Sequence, residues 1–300
     1  MEDIRERLRS GGVILGDGAW GTLLMQRGLK PGEPPEALNL SRPEILEEIA
    51  TLYLEAGAEL ITTNTFGGSP LRLRAHTLEG RTEEINRRAV EAVRRAIGDR
   101  AWVSASVGPS GRLLKPYGDC TPEELYANFE RQIGVLVAAG ADLICVETMT
   151  DLTEAALAVR AARALAPAIP VMATMTFEDT PRGYYTVMGV SVAKAAAGLE
   201  EAGADIVGSN CGNGIETMIG IAREFRKHAR LPVAIQANAG LPMTRDGALV
   251  YPETPEFVAA KAVELLDLGV RIIGGCCGTT PDHIRALRAV VDKHRESARA

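Results

Sequence analysis

Short apolar runs of about five to seven residues alternate along the chain with amphipathic stretches of about twelve to sixteen, the pattern of repeated strand-helix units. The apolar runs predict strands at residues 13–16, 59–65, 101–107, 142–147, 171–177, 205–210, 233–238 and 271–275. The amphipathic stretches predict helices at 42–56, 81–97, 122–139, 152–166, 191–202, 215–228, 255–268 and from Pro281 onward. Helix-entry chemistry stands at several starts: Ser41 with Glu44 three positions on, Thr121 before Pro122, and Thr280 before Pro281.

One phrase recurs four times, at residues 55–61 (EAGAELI), 138–144 (AAGADLI), 201–207 (EAGADIV) and 267–273 (DLGVRII). Each copy ends a helix at Gly57, Gly140, Gly203 or Gly269, where a left-handed cap is natural, and leads into an even-numbered strand. A fourfold repeat of a two-strand unit over 300 residues predicts a single (β/α)8 TIM barrel spanning residues 1–300, with an open doubly wound sheet as the competing architecture.

Composition narrows the function. A hydrophobic fraction of 46% is ample for one core, and no linker or low-complexity segment divides the chain. A net charge of -6, no dense Lys/Arg cluster and 4% aromatic residues argue against nucleic-acid binding. The N-terminus is a charged amphipathic lead-in without an apolar signal core, and no run reaches membrane-spanning length. Five cysteines, an odd number, then point to reduced thiols in the cytoplasm.

Three of those cysteines carry the chemistry. Cys211 ends the sixth strand within Gly-Ser-Asn-Cys-Gly, and the pair Cys276-Cys277 ends the eighth within Gly-Gly-Cys-Cys-Gly-Thr-Thr. Active sites of such barrels lie at the C-terminal ends of the strands, so these thiols are candidates to hold one zinc ion per chain, leaving a fourth position for substrate. Neighbours on a regular strand point to opposite faces, so the pair reaches one metal only if the pleat breaks, a freedom that Gly274, Gly275 and Gly278 supply. The competing reading is two small buried residues or a vicinal disulfide. Cys145, inside the fourth strand, and Cys120, in a loop, read as structural.

The first strand ends in the glycine-rich segment 16–22, where backbone N–H groups around Gly18, Ala19 and Trp20 can meet an anion while Asp17 accepts from a cation. Glu147 brings a second carboxylate to the barrel mouth. One anion cradle and two carboxylates suit a free amino acid, and a neighbouring metal-held thiol would make it a sulfur amino acid. Asn64, Asn210 and Asn238 read mainly as orienting residues, Asn210 being retained as a candidate substrate contact; His283 reads as a helix-start residue and Arg94-Arg95 as a solvated helix face.

Segments 17–22 (DGAWGT), 35–40 (PEALNL), 63–67 (TNTFG), 147–149 (ETM), 236–240 (QANAG) and 274–280 (GGCCGTT) together resemble the homocysteine S-methyltransferase family, and within it the homocysteine-binding module of cobalamin-dependent methionine synthase. The resemblance implies zinc on Cys211, Cys276 and Cys277, the homocysteine thiolate as fourth ligand, Asp17 and Glu147 on the α-ammonium, and amides of Gly18 to Trp20 on the α-carboxylate. It implies direct displacement of a methyl group by the sulfur, with no tuned general base.

The donor is left open. The expected end soon after the eighth helix leaves no corrinoid module in this chain, so methylcobalamin would be supplied in trans, free or on a separate corrinoid protein; S-methylmethionine or betaine is the alternative. Trp20 can face such a cation or simply pack. A non-catalytic zinc-binding subunit would be expected to carry a damaged site. A zinc hydrolase is disfavoured, because three thiolates make zinc a poor acid for bound water and no histidine stands at the mouth as base.

Overall fold

The computed structural model describes residues 2–245 and 248–297. All eight expected strands form, as β1 (Ile14–Leu15), β2 (Leu60–Thr62), β3 (Trp102–Val107), β4 (Leu143–Met149), β5 (Val171–Met175), β6 (Ile206–Asn210), β7 (Val233–Ala237) and β8 (Ile272–Gly275). They pair in parallel in the order β1-β8-β7-β6-β5-β4-β3-β2. A parallel bridge between Gly16 and Leu60 joins β1 to β2, with Glu59 N–H donating to Leu15 O at 2.7 Å and Asp17 N–H to Leu60 O at 3.1 Å, so the sheet closes on itself. The open-sheet alternative is thereby excluded.

The eight expected helices surround it: α1 (Pro43–Glu55), α2 (Thr82–Ile97), α3 (Pro122–Ala138), α4 (Leu152–Leu165), α5 (Val192–Ala202), α6 (Ile215–His228), α7 (Pro255–Asp267) and α8 (Pro281–Ser297). Thr121 caps α3 through a reciprocal capping box with Glu124. The expected cap at Ser41 is corrected: Ser41 ends a short helix, Leu38–Ser41, and α1 starts after Arg42 without a side-chain cap. Proline at the first position of α1 removes one of the N–H groups such a cap would serve.

The fourfold phrase has a physical role. Its glycines take φ of +95°, +95°, +103° and +78° at Gly57, Gly140, Gly203 and Gly269. The acid that follows accepts from a backbone N–H near the start of a neighbouring strand: Glu59 from Leu15 N at 3.1 Å, Asp142 from Val103 N at 2.7 Å and Asp205 from Val171 N at 2.8 Å. Each acid also receives an arginine from a surrounding helix, Arg288, Arg94 and Arg163 respectively. Arg94 is therefore a tie between helix and barrel floor rather than an idle solvated residue. In the fourth copy Arg271 stands where the acid does elsewhere, and donates to Gly11 O at 2.8 Å.

The charged lead-in folds as a helix, Ile4–Arg9, whose Ile4 and Leu8 close the barrel floor against Ile14, Leu60 and Cys145. Cys145 is thus a core residue, and Cys120 is buried in its loop. Two hairpins, Glu178–Thr180 with Gly183–Tyr185 and Met243–Arg245 with Ala248–Val250, rise from the loops after β5 and β7. Among the described residues no helix is long and apolar enough to cross a membrane.

Candidate functional site

At the C-terminal face the barrel opens into a cavity of about 540 Å³. Every candidate site residue lines it: Asp17, Gly18, Ala19, Trp20, Glu147, Asn210, Cys211, Cys276 and Cys277. A volume of this size is ordinary for a small-molecule site.

The three thiols converge. Their sulfurs lie within 4.8 Å of one another, and Cys211 Sγ is 3.8 Å from Cys277 Sγ. Two thiolates about 2.3 Å from a tetrahedral centre would stand about 3.8 Å apart, so the donor set fits zinc in spacing and in softness. It is the one cluster of three or more potential metal ligands among the described residues. All five cysteines are free.

Local backbone chemistry produces the convergence. β6 ends at Asn210, and Cys211 follows in the left-handed region at φ +61°, its N–H on Gln236 O at 3.2 Å. β8 ends at Gly275, after which Cys276 N–H donates to Ala237 O at 2.7 Å and Thr279 N–H closes a turn onto Cys276 O at 3.1 Å. That turn breaks the pleat, and both cysteines face the cavity. It requires glycine at 275, where an added Cβ would fall 2.2 Å from Thr279 Oγ1.

Charge in the trio is unevenly shared when no cation is present. Hydrogen bonds from Cys211 and Cys276 pull the Cys277 thiol down to about 3. Cys211 is pushed up to about 11: the Cys276 bond that lowers it is outweighed by the bond to Cys277 and by burial. Cys276 is raised as well, by its bonds to Cys211 and Cys277 and by burial. Three thiolates this close need a cation to ionise together, which is what a divalent metal supplies.

The two carboxylates are equally unusual. Asp17 is 1% exposed, and burial raises it to about 6 against the lowering effect of donors from Thr62 N (2.8 Å), Trp20 Nε1 (2.8 Å) and Thr62 Oγ1 (2.8 Å). Glu147 is raised to about 7 by burial, with Ser106 Oγ donating to Oε1 and the Asp17 charge adding to the rise. A register shift between Val146 and Met149, with Thr148 at φ +58°, places Glu147 in the cavity. A buried and a half-buried acid that repel each other are poised for a cationic ligand.

Other candidates take different parts. Trp20 is buried and starts a short helix, Trp20–Gln26, where a plain glycine turn was expected, and its indole fixes Asp17. Ala19 N–H is spent on Thr279 Oγ1 at 3.1 Å, which removes it from the expected anion cradle. Asn210 is saturated by Thr148, Thr174 and Glu147, so it orients Glu147 and Thr148. Asn64 bonds Pro35 O and Asn39. Asn238 Oδ1 and Gln236 Oε1 are buried without partners. His283 ties the start of α8 to the loop after β7, its Nε2 3.0 Å from Glu253 O.

Sequence reasoning missed Tyr251, Glu36, Arg72 and His76, which also line the cavity. Glu36 is buried and joins two loops by accepting from Gly67 N at 2.6 Å. Its place in the PEALNL segment was the available signal; Arg72 sits in a short helix, Pro70–Arg74, and Tyr251 and His76 lie outside regular elements, all without a pattern.

Comparison with known proteins places this geometry. Residues 14–291 match the homocysteine S-methyltransferase family. The methionine synthases of Mycobacterium leprae and Mycobacterium tuberculosis are 35% and 36% identical over 93% of this chain, which spans 24% of their length. The metallated form of the homocysteine methyltransferase MmuM from Escherichia coli superposes with a TM-score of 0.79 over 95% of this chain and 99% of its own, at 24% identity, and so shares the fold. With a family match over nearly its whole length, the chain belongs to the homocysteine S-methyltransferase family.

Proposed function

We propose that this protein methylates the sulfur of homocysteine to form methionine, using one zinc ion held by Cys211, Cys276 and Cys277. The observation that carries this reading is the one cavity in which three converging thiols face two carboxylates with raised pKa. Bound there, zinc would keep a substrate thiol ionised at neutral pH and so nucleophilic.

The chain's own residues supply position. Asp17 and Glu147 receive the α-ammonium, their carboxylates kept in place by Trp20 and Thr62 on one side and by Ser106 and Asn210 on the other. Amides in the first turn of helix Trp20–Gln26, which has no side-chain cap, take the α-carboxylate, while the Ala19 amide holds the loop to Thr279. The thiol proton leaves to solvent, the sulfur forms its bond to the methyl carbon, and the donor departs with the electron pair. Holding the reactants in line replaces acid-base chemistry.

The donor in this reading is methylcobalamin on a separate corrinoid protein. Met25, in the helix Trp20–Gln26, and Phe66, Leu113, Tyr117, Val187 and Leu241, in segments that follow barrel strands, are large exposed apolar residues, an arrangement that suits a docking protein better than a small solute. Reduced thiols at the centre suit the cytoplasm.

Methionine formation from homocysteine by zinc-loaded protein, with methylcobalamin, S-methylmethionine or betaine as donor, tests the proposal. Turnover with methylcobalamin supports it; turnover with an onium donor alone moves the enzyme to the alternative donor class. No turnover with any, including a corrinoid protein, overturns it.

A further inference from the structure

We infer that a second cavity, beside the catalytic mouth, binds a small organic phosphate. The cavity, of about 410 Å³, opens between the helix Pro70–Arg74, the loop after β3 and the first half of α3. It shares no lining residue with the catalytic cavity, so its ligand is a separate one. Arg72 and Leu73 of the same short helix line the catalytic cavity, so one helix borders both sites. The inference does not depend on the zinc reading.

The residue that points to a ligand is Asn128, which lines the cavity and is 5% exposed. Its Oδ1 accepts from Leu71 N at 2.8 Å, which fixes the amide, and its Nδ2 is left buried with no partner among the described residues. Gln132, one turn further along α3, does not relieve it, because Gln132 Oε1 is buried without a partner too. A buried N–H donor with no acceptor is costly, and this one is matched to an acceptor that arrives from outside.

Charge identifies that acceptor. Arg74, Arg112 and Arg131 line the same cavity, one from each of its three elements. Arg74, at the end of its short helix, makes no ion pair among the described residues. Arg112 gives Nη2 to Asp119 and keeps Nε and Nη1; Arg131 gives Nε and Nη2 to Glu83 and keeps Nη1. The two acids of the lining are spent locally, Asp119 on Arg112 and Glu124 on Thr121 N at 2.8 Å in the capping box of α3. Guanidinium donors from three elements and a buried amide donor fit a phosphate group, whose several oxygens can accept from all of them. Pro70, Leu71 and Ala127 make part of the wall apolar, and the volume exceeds what a phosphate group fills, so the ligand carries a small organic body.

Calorimetric titration of the zinc-loaded full chain with phenyl phosphate, with the parent, Arg74→Gln, Arg112→Gln and Asn128→Asp compared, tests this. One phenyl phosphate per chain is expected, bound about tenfold more weakly by either arginine variant, since each loses a charged donor. Asn128→Asp keeps an acceptor for Leu71 N and turns a carboxylate oxygen toward the anion, so its binding should fall below detection. Arg74→Gln, a change at an exposed residue, should leave zinc content and the rate of methionine formation at parent values. If phenyl phosphate does not saturate the parent, or binds both arginine variants as tightly as the parent, the inference is overturned.

Discussion

Cys211 Sγ and Cys277 Sγ lie 3.8 Å apart across 66 positions of sequence, each at the end of a different barrel strand. Cys211→Ser removes one soft ligand from a set of three and should lose metal and methyl transfer together. Metal analysis is expected to fall from about one zinc per chain to none, with activity down at least about 100-fold. Methyl transfer that survives the loss of zinc would contradict the mechanism.

Glu147→Gln preserves shape: the amide oxygen can still accept from Asn210, and the amide nitrogen can donate to Ser106. It removes a charge reserved for the substrate ammonium, so KM for homocysteine should rise about tenfold or more while zinc content holds. The check is steady-state kinetics beside metal analysis.

With pKa raised to about 7 at Glu147 and about 6 at Asp17, ammonium binding should weaken as pH falls through that range. The acid limb of kcat/KM would lose its upper inflection in Glu147→Gln. Stability runs the other way. A carboxyl whose folded pKa is raised holds its proton longer in the folded state, so its neutral form favours folding most at low pH. That contribution fades between about 4.5 and 7 for Glu147, and the unfolding free energy of Glu147→Gln at pH 8 should exceed the parent's by on the order of 2 kcal/mol.

Thr279 connects the cysteine turn to the loop after β1, donating to Cys276 O at 2.7 Å and accepting from Ala19 N at 3.1 Å. Thr279→Val deletes both bonds and leaves Ala19 N–H buried without a partner. A loss of about 1–3 kcal/mol in unfolding free energy is expected, with faster zinc release to a chelator.

The barrel was legible because two signals agree: the apolar runs mark the strands, and the phrase at Gly57, Gly140, Gly203 and Gly269 marks the helix-to-strand turns. The cysteine cluster was legible because Cys211 and Cys276-Cys277 fall at strand ends, where barrels carry chemistry. Local patterns failed where a longer-range partner decides. Ser41 resembles a cap, yet proline at the start of α1 and the helix Leu38–Ser41 leave it no such role. Ala19 resembles a free amide until Thr279, 260 residues away, takes it. Tyr251 gave no signal, since the fold rather than any spacing brings its ring onto Gly278 in the cavity wall.

Tyr117, 81% exposed on the loop after β3, should matter only to a protein-borne donor. Tyr117→Glu is expected to raise KM for a corrinoid protein several-fold while leaving the rate with free methylcobalamin unchanged. Equal effects on both would place Tyr117 outside the docking surface.

The central claim is that three cysteines of this chain and the sulfur of homocysteine share one zinc. X-ray absorption at the zinc edge, recorded on the full chain before and after adding homocysteine, tests it most directly. The account predicts three sulfur neighbours without the amino acid and four with it; a sulfur count that does not change on adding homocysteine would contradict it.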